Sequence, residues 1–318
     1  MTCRIGFLGN CQVQSYSALT PLMVAGAEVV ALDYSRPETR EEAVRERFVE
    51  QLEDCDYIFT QTASFSITNE TALRERFGSK VKTIANFYFR GLFPDSCMIG
   101  SFGNRLDKPT AINSIVILDA FLRGESEENA AHCFNRENYS RLGLLQAWEN
   151  SMAEMFRREG SNSVDVPGAA LMEQACLRYP AFITMNHPSL ALMSEYLEKV
   201  FLHSGVIYRS INPVIIEDPL EEHDTTPIDN LVAEMRNLPY RGSGYWRINS
   251  LGRRFINRAE LISQFYDTYK NTPRRDLVVH SPSDLTQYYS NESNLRFLVD
   301  PDAPVIQPPM RASLKRRF

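Results

Sequence analysis

The fold is decided by a stretch close to the N-terminus, RIGFLGNCQ at residues 4–12. Its first five residues form a short, largely apolar run that stops at Gly9 and Asn10, which predicts a buried strand followed by a turn. A helix is expected over 11–19, limited by Pro21. Strand, turn and helix in this order are the opening unit of an α/β pattern.

The following residues repeat this alternation. Further strands are predicted over 28–34, 56–62 and 81–88, and further helices over 37–53 and 69–77. An alternating order of this kind is typical of a parallel sheet that is covered by helices on both faces. We therefore predict an α/β fold whose N-terminal part is such a sheet, followed by a mainly helical region.

From residue 109 onward, helical patterns dominate. Helices are predicted over 109–122, 127–134, 139–158, 166–179 and 188–203, and the last of these is strongly amphipathic. The residues after 205 show little periodicity and end in a basic tail at Arg311, Lys315, Arg316 and Arg317. We predict three regions: an α/β sheet region at 1–108, a mainly helical region at 109–205, and an irregular or helical C-terminal region at 206–318 that packs on the rest.

Composition and charge exclude several classes of protein. Of the 318 residues, 34 are Lys or Arg and 40 are Asp or Glu, so the net charge is −6 without a clustered basic face, and we expect no nucleic-acid partner. The six cysteines form no CxxC pair, which disfavours a disulfide framework or a metal site and favours a reducing compartment. Neither a secretory signal nor an apolar run of roughly 18 residues is visible, so we expect a cytoplasmic protein without a membrane span.

Cys11 is the first candidate for chemistry. Ligands of open α/β sheets sit at the carboxyl ends of the strands, and Cys11 comes directly after the first strand. With Asn10 as the N-cap, Cys11 falls in the first helical turn, where the helix dipole favours a thiolate, so we predict a nucleophile. The alternative is a small apolar residue that packs between strand and helix.

A dinucleotide-binding turn is another possible function at this position. Gly6 and Gly9 are present, and Asp33 ends the second strand, where a ribose-binding acid would lie. The GxGxxG pattern would also need glycine at Leu8 and glycine or alanine at Cys11, and neither is there. This alternative therefore ranks low.

His187 is the second candidate. It follows a short apolar segment and precedes Pro188, which suits the first position of a helix, so we place His187 near the N-cap. Positive potential at a helix N-terminus keeps an imidazole neutral and able to accept a proton, as a general base requires. The alternative is a polar cap, and the other four histidines, at 132, 203, 223 and 280, are interpreted as structural or surface residues.

At these two turns the chain resembles the WcbI-type polysaccharide biosynthesis proteins, a family of acetyltransferases of bacterial capsule assembly that bind coenzyme A. The resemblance is carried by IGFLGNCQ at 5–12 and TMNHP at 184–188, with DYIFTQ at 56–61 and NFYFRGLFPD at 86–95 between them. It extends over residues 3–205.

The family is in turn similar to SGNH-type hydrolases, which implies an SGNH- or Rossmann-like sheet. In that pattern a serine nucleophile follows the first strand, and Cys11 stands in its place. An aspartate is expected three residues before the histidine, but Thr184 occupies that position, so the acid of a triad is unassigned. A Cys–His pair can work without it, because a thiolate forms more readily than an alkoxide.

The resemblance implies transfer of an acetyl or similar acyl group from acetyl-coenzyme A to a sugar hydroxyl of a polysaccharide precursor. In one route Cys11 attacks the thioester and His187 then deprotonates the acceptor; in the other, His187 activates the hydroxyl for direct attack and Cys11 only lines the site. Positioning and oxyanion contacts are expected from the two turns and from neighbouring strand ends: Gly9, Asn10, Gln12, Gln61, Asn86 and Asn186. For Gln61 and Asn86 the alternative is a satisfied polar group at a strand end.

Coenzyme A carries phosphates, so cationic contacts are expected, and Arg90, Arg105 and Lys108 follow the fourth strand. For each of them the alternative is a solvated surface charge. Two other functions stay open: a cysteine-dependent glycan esterase or deacetylase, for which water is the acceptor, and a non-catalytic carbohydrate-binding protein that stacks sugars on the aromatic stretch 240–246. The sequence specifies neither the acceptor sugar nor the oligomeric state.

Overall fold

The computed structural model describes residues 3–61, 67–101 and 104–281. Contacts divide the chain into two compact units, each made of two separate segments: 1–92 with 148–242, and 93–147 with 243–318. The predicted division into three consecutive regions differs from these units and stays a prediction. The basic tail predicted at the C-terminus lies outside the described residues.

Strands and helices alternate along the first 92 residues, as the sequence predicts. They are β1 (Cys3–Gly9), α1 (Val13–Met23), β2 (Ala27–Asp33), α2 (Glu42–Gln51), β3 (Tyr57–Thr60), α3 (Glu70–Phe77) and β4 (Val81–Thr83). The later elements up to Gly242 are β5 (Ser96–Ser101), β6 (Asn104–Arg105), β7 (Asn113–Ser114), α4 (Ile115–Leu122), α5 (Glu127–His132), α6 (Arg136–Arg141), α7 (Ala147–Ser161), α8 (Ala169–Arg178), β8 (Phe182–Thr184), β9 (His187–Pro188), α9 (Leu190–Ser204) and α10 (Asn230–Met235). The remaining described elements are β10 (Tyr245–Ile248), β11 (Arg254–Asn257), α11 (Arg258–Lys270) and β12 (Val279–Ser281).

The strands of the first 92 residues form a parallel sheet in the order β2-β1-β3-β4, which confirms the predicted fold class. β1 lies inside the sheet, and its last residue, Gly9, is opposite Asp33 of β2. The fourth strand is shorter than the predicted 81–88. It ends at Thr83, although the N–H of the next residue, Ile84, still donates to the carbonyl of Thr60 at 2.9 Å; Ile84 also forms an isolated bridge with Val166, in the segment before α8.

The first helix also differs from its predicted bounds. α1 begins two residues later than 11–19 and passes Pro21 to end at Met23. Proline removes one N–H donor near the C-terminal end, but the last turn still closes because the N–H of Val24 donates to the carbonyl of Thr20 at 2.8 Å.

One face of the sheet is covered by α2 and α3. Leu8 of β1 and Ile58 of β3 pack in a cluster with Phe48 of α2, Leu52 just after it and Leu73 of α3, and every one of these residues is buried. Burial of such side chains is the main favourable term in folding, so this cluster holds both helices on the sheet.

The opposite face is covered by α1 and α9. Phe7 lies next to Leu8 in β1, so its side chain points to the other face, where its ring centroid is 5.4 Å from those of Tyr16 and Phe59. Phe201 of α9 closes this face at 6.1 Å from Phe59. The prediction of helices on both faces is thus confirmed, and one of them comes from a distant part of the sequence.

Four of the five helices predicted beyond residue 108 are shorter than expected. Those over 127–134 and 166–179 lose only a few residues, as α5 and α8, and the other two change more. The helix predicted over 139–158 is interrupted at Gly143, whose φ of 69° no helix interior adopts, and it divides into α6 and α7. The helix predicted over 109–122 is reduced to α4, because the hydroxyl of Ser114 caps the N–H of Ile117 and so sets the start. The amphipathic helix predicted over 188–203 is confirmed as α9.

The second unit contains antiparallel pairing that the sequence did not reveal. β5 pairs with β6, β7 and β12, and β10 pairs with β11. The sequence of β5, SCMIGS, mixes small and polar residues without clear alternation, so periodicity gives no strand signal.

No helix among residues 3–61, 67–101 and 104–281 is long and apolar enough to cross a membrane.

Candidate functional site

The GNCQ turn (residues 9–12) begins where β1 ends, at the carboxyl edge of the parallel sheet. Asn10 Oδ1 accepts the N–H of Gln12 and the Asn10 carbonyl accepts the N–H of Val13, both at 3.0 Å, which closes a tight turn. Gln12 is the N-cap of α1, and Cys11 precedes the helix. The prediction of Cys11 in the first helical turn is wrong, because the Asn10 side chain closes a turn of its own before the helix starts.

Gly9 allows the neighbouring strand to support this turn. A Cβ at Gly9 would lie 2.3 Å from Oε1 of Gln61 and 2.9 Å from Cγ1 of Val13, closer than nonbonded atoms can come. Gln61 follows β3 directly and needs that space, since its Oε1 accepts the N–H of Asn10 at 3.0 Å. A side chain at position 9 would therefore separate the turn from β3.

The side chain of Gln12 is the centre of a buried amide network. Gln12 is 0% exposed, and its Nε2 donates to the carbonyls of Phe87 at 2.7 Å and Asn186 at 3.2 Å. Its Oε1 accepts the N–H of Phe87 at 3.2 Å. The residue after Cys11 therefore contacts the residue before His187, so the two motifs meet although they are far apart in sequence.

Two further side chains complete the network. Gln61 Nε2 donates to Oε1 of Gln12 at 3.0 Å and to the carbonyl of Ala85 at 3.1 Å. Asn86 Oδ1 accepts Nδ2 of Asn10 at 3.0 Å and Nε2 of Gln12 at 3.4 Å. Gln61 is fully enclosed, whereas Asn86 is exposed at the edge of the site. The structure thus brings the predicted positioning residues together.

Cys11 is enclosed by the fold. The residue is 8% exposed, and burial, aided by the negative charge of Asp33, raises the pKa of its thiol to about 12. The N–H groups of Cys11 and Gln12 lower this pKa, but their effect is smaller. The thiol is therefore protonated at neutral pH. The expectation of a stabilised thiolate is not met, because desolvation outweighs the local dipoles.

His187 lies in the short strand β9 and not at a helix N-cap. The N-cap of α9 is Ser189, whose hydroxyl accepts the N–H of Leu192 at 3.4 Å. Burial, followed by the neighbouring ring of His223, lowers the pKa of His187 to about 4. The imidazole is neutral at pH 7, as the sequence predicts, but desolvation and not a helix dipole is the main cause.

The surroundings of the His187 ring contain a residue that the sequence analysis missed. Nδ1 of His187 is buried and has no hydrogen-bond partner within residues 3–61, 67–101 and 104–281. The ring of His223 packs against it, with 4.7 Å between centroids and an interplanar angle of 36°. Sequence reasoning had no signal for this contact, because His223 is flanked by acidic residues in a stretch without periodicity.

The expected place of a triad acid is filled by a neutral residue. Thr184 is 1% exposed, and its hydroxyl donates to Oδ1 of Asn186 at 3.0 Å, so it helps to fix the turn before His187. The likeness to SGNH-type hydrolases stays a prediction.

In the part of the chain that the structure describes, no three His, Cys, Asp or Glu side chains are grouped so that they could hold a metal ion.

The predicted phosphate contacts lie in different parts of the molecule. Arg90 is 2% exposed in the first unit, whereas Arg105 and Lys108 are exposed residues of the second unit. Their roles stay predictions.

In the aromatic stretch 240–246, for which sugar stacking was an alternative, the hydroxyl of Tyr240 donates a hydrogen bond to the carbonyl of Cys176.

Comparison with known proteins identifies the family. The family model described as polysaccharide biosynthesis enzyme WcbI matches residues 4–207, which is more than half of the chain. No curated protein matches the chain. A solved structure of WcbI, described as a novel polysaccharide biosynthesis enzyme in its native form without a disulfide bond between coenzyme A and one of its cysteines, is similar in fold, with a TM-score of 0.69 and 16% identity over 94% of this chain and 98% of the other. The chain therefore belongs to the WcbI family of polysaccharide biosynthesis enzymes.

Proposed function

We propose that this enzyme transfers an acyl group, in the simplest case acetyl, from a coenzyme A thioester to a sugar hydroxyl during polysaccharide biosynthesis. The observation that carries the proposal is the 3.2 Å hydrogen bond from Gln12 Nε2 to the carbonyl of Asn186, which joins the turn of Cys11 to the turn of His187. Membership of the WcbI family supports a sugar-containing acceptor.

Coenzyme A is the proposed donor because the description of the similar WcbI structure, a native protein without a disulfide bond between coenzyme A and one of its cysteines, names this molecule. In this chain, Cys11 is the cysteine at the carboxyl edge of the parallel sheet, where ligands of α/β proteins bind. We therefore expect the thiol end of the donor beside Cys11. Arg90, which belongs to the same unit as Cys11, remains our candidate for its phosphates.

Of the two routes, direct transfer has the better physical support. With a pKa of about 12, a thiol is ionised in only about one molecule in 10⁵ at pH 7, so a nucleophilic Cys11 would be scarce. His187, in contrast, is neutral at that pH and has a nitrogen able to take a proton. We assign His187 as the general base and Cys11 as a small apolar wall of the site.

The proposed reaction proceeds in two balanced steps. The unprotonated nitrogen of His187 takes the proton of the sugar hydroxyl while the oxygen attacks the thioester carbonyl, which forms a C–O bond and a tetrahedral oxyanion. The C–S bond then breaks, and the coenzyme A sulfur takes the proton from the imidazolium.

Asn86 is the proposed donor to the oxyanion. Its Oδ1 is turned toward Asn10 and Gln12, so its Nδ2 points away from the network and has no partner among the described residues. The N–H of Gln12 is a weaker candidate, because Asn10 Oδ1 already accepts it at 3.0 Å. Donors of this kind contribute about 10²–10³ in kcat.

The test uses acetyl-coenzyme A with methyl hexosides as acceptors and measures release of the coenzyme A thiol. We expect His187→Gln to lower kcat by about 10²–10⁴ and Cys11→Ala to retain most of it, while rapid-quench mass spectrometry finds no acetyl group on Cys11. An acetylated Cys11 together with an inactive Cys11→Ala variant would establish the acyl-enzyme route instead. Acetate release from acetylated glycans, without coenzyme A binding, would replace the proposal with an esterase.

A further inference from the structure

The general base proposed above lacks the hydrogen-bonding partner that such a residue usually has. A catalytic imidazole is commonly oriented by an acceptor on its second nitrogen, which fixes both the tautomer and the ring plane. Nδ1 of His187 is buried without a partner in the described ranges, and the nearby Thr184 uses its hydroxyl on Asn186. Some other contact must hold the ring.

The contact that the structure offers is the ring of His223. The two centroids are 4.7 Å apart and the planes are tilted by 36°, so the two rings are in packing contact. A ring packed in this way restricts rotation about the Cβ–Cγ bond of its neighbour without using a ring nitrogen. Such a contact orients an imidazole and leaves both of its nitrogens available.

His223 is held in place from both sides. Before it, Asp218 caps the short helical turn 219–222 through the N–H of Leu220 at 2.9 Å and also accepts the N–H of Leu190, the first residue of α9, at 2.7 Å. After it, the N–H of Thr226 donates to the carbonyl of Ile183 in β8 at 3.1 Å. The segment is thus tied to the two elements that flank His187.

We propose that His223 is the positioning residue of this enzyme, which orients the imidazole of His187 by ring packing in place of a hydrogen-bonded acid. The proposal rests on the proposed role of His187 as the base. His223 lies beyond residues 4–207, the part that the family model matches, so this assignment goes beyond what defines the family.

The charge of His223 has a second effect on the base. The ring of His223 contacts that of His187, and the segment of His223 also carries the acidic residues Asp218, Glu221 and Asp224. Of these, His223 is the one whose charge contributes to the low pKa of His187. A positive charge on His223 disfavours a second positive charge on the neighbouring ring.

Two variants separate orientation from charge. His223→Phe keeps a ring in place but cannot be protonated, and His223→Ala removes the ring; His203→Ala, an exposed histidine of α9, is the control. We expect His223→Phe to retain kcat within about threefold and His223→Ala to lower it by about tenfold to a hundredfold, as misplacement of a reacting group does. The imidazole of His187, followed by NMR in the free protein, should titrate at a higher pH in both His223 variants and be unchanged in the control.

Equal losses of kcat in both His223 variants, with an unchanged titration of His187, would overturn the proposal and leave a merely structural role. If His223→Ala does not fold, the pH at which the imidazole of His187 titrates in His223→Phe still tests the proposal. Because the titration needs no substrate, it is independent of the transfer assay: a wild-type protein that transfers no acyl group would refute the proposed function and leave the contact between the rings testable.

Discussion

At the scale of single residues, Gln12 joins the two turns of the site through hydrogen bonds that the side chain of the neighbouring Cys11 does not make. Its amide has both a donor and an acceptor, and it uses them on Phe87, Gln61, Asn86 and Asn186. A side chain of this length and polarity can be fully buried only because each of its hydrogen-bonding atoms finds a partner. Losing Gln12 would leave several buried polar groups without one.

We predict that Gln12→Ala lowers the free energy of unfolding by about 3 kcal/mol, because buried donors and acceptors lose their partner at once. Gln14→Ala is the matched control: it is the same change two residues away, and it removes one half-buried hydrogen bond, to Asp33 at 2.9 Å, for a loss of about 1 kcal/mol. Urea unfolding of both variants measures the difference. Equal losses in the two variants would contradict the central role of Gln12.

The residues of the site were partly predictable. Asn10, Gln12, Gln61 and Asn86 follow strand ends, and strand ends of a parallel sheet meet at one edge, so the sequence pattern could group them. The ionisation of Cys11 was not predictable, because burial that depends on the whole fold raises its pKa. The same holds for His223, whose position is set by backbone bonds to distant elements.

At the scale of elements, β1 and the end of α2 approach each other closely at Gly6. A Cβ at this position would lie 2.4 Å from Cδ2 of Leu52, which is itself 0% exposed in the core between sheet and helices. Glycine at position 6 therefore serves the packing of α2 on the sheet. No phosphate-binding role is needed to explain it.

We predict that Gly6→Ala destabilises the protein by about 1–3 kcal/mol, because overpacking forces Leu52 out of its place. In a Leu52→Ala background the same change should cost at least about 1 kcal/mol less, because the added methyl group then enters the space vacated by the leucine. A double-mutant cycle by urea unfolding measures this coupling. Additive effects of the two changes would show that their side chains do not compete for space.

The alternating elements of the first 92 residues were predictable because apolar runs and turn residues agree there. The exact ends of these elements were not predictable. Pro21 is tolerated near the end of α1, and Gly143 divides a pattern that reads as one helix. The antiparallel pairing of β5 escaped prediction because its partner β12 lies 180 residues away and its own sequence has no strand period.

At the scale of the whole molecule, the neutral His187 makes stability depend on acidity. Its pKa is about 4 in the folded protein against about 6.5 when unfolded, so the unfolded chain binds more protons between these values. The free energy of unfolding should therefore fall as the pH drops from about 6.5 toward 4 and be insensitive to this group above that window. The loss at pH 4.5 is about 2–3 kcal/mol.

His187→Asn should lose less stability than wild type between pH 7 and pH 4.5 by about that amount, as measured by urea unfolding at each pH. His203→Asn, at an exposed position of α9, serves as the control and should behave like wild type. An acid response that is identical in all three proteins would show that His187 is equally easy to protonate in the folded and unfolded states.

The covering of one sheet face by α9 has a consequence for how the protein is made. Phe59 and Phe201 are neighbours in the folded protein, but they are 142 residues apart in the sequence, so Phe59 is synthesised well before Phe201. At a translation rate of roughly 5–20 residues per second, the aromatic face of the nascent sheet stays exposed for about 7–28 s before α9 is synthesised. During that interval it is a surface that holding chaperones can recognise, and stalling of translation upstream of residue 190 should divert the newborn chain into aggregates.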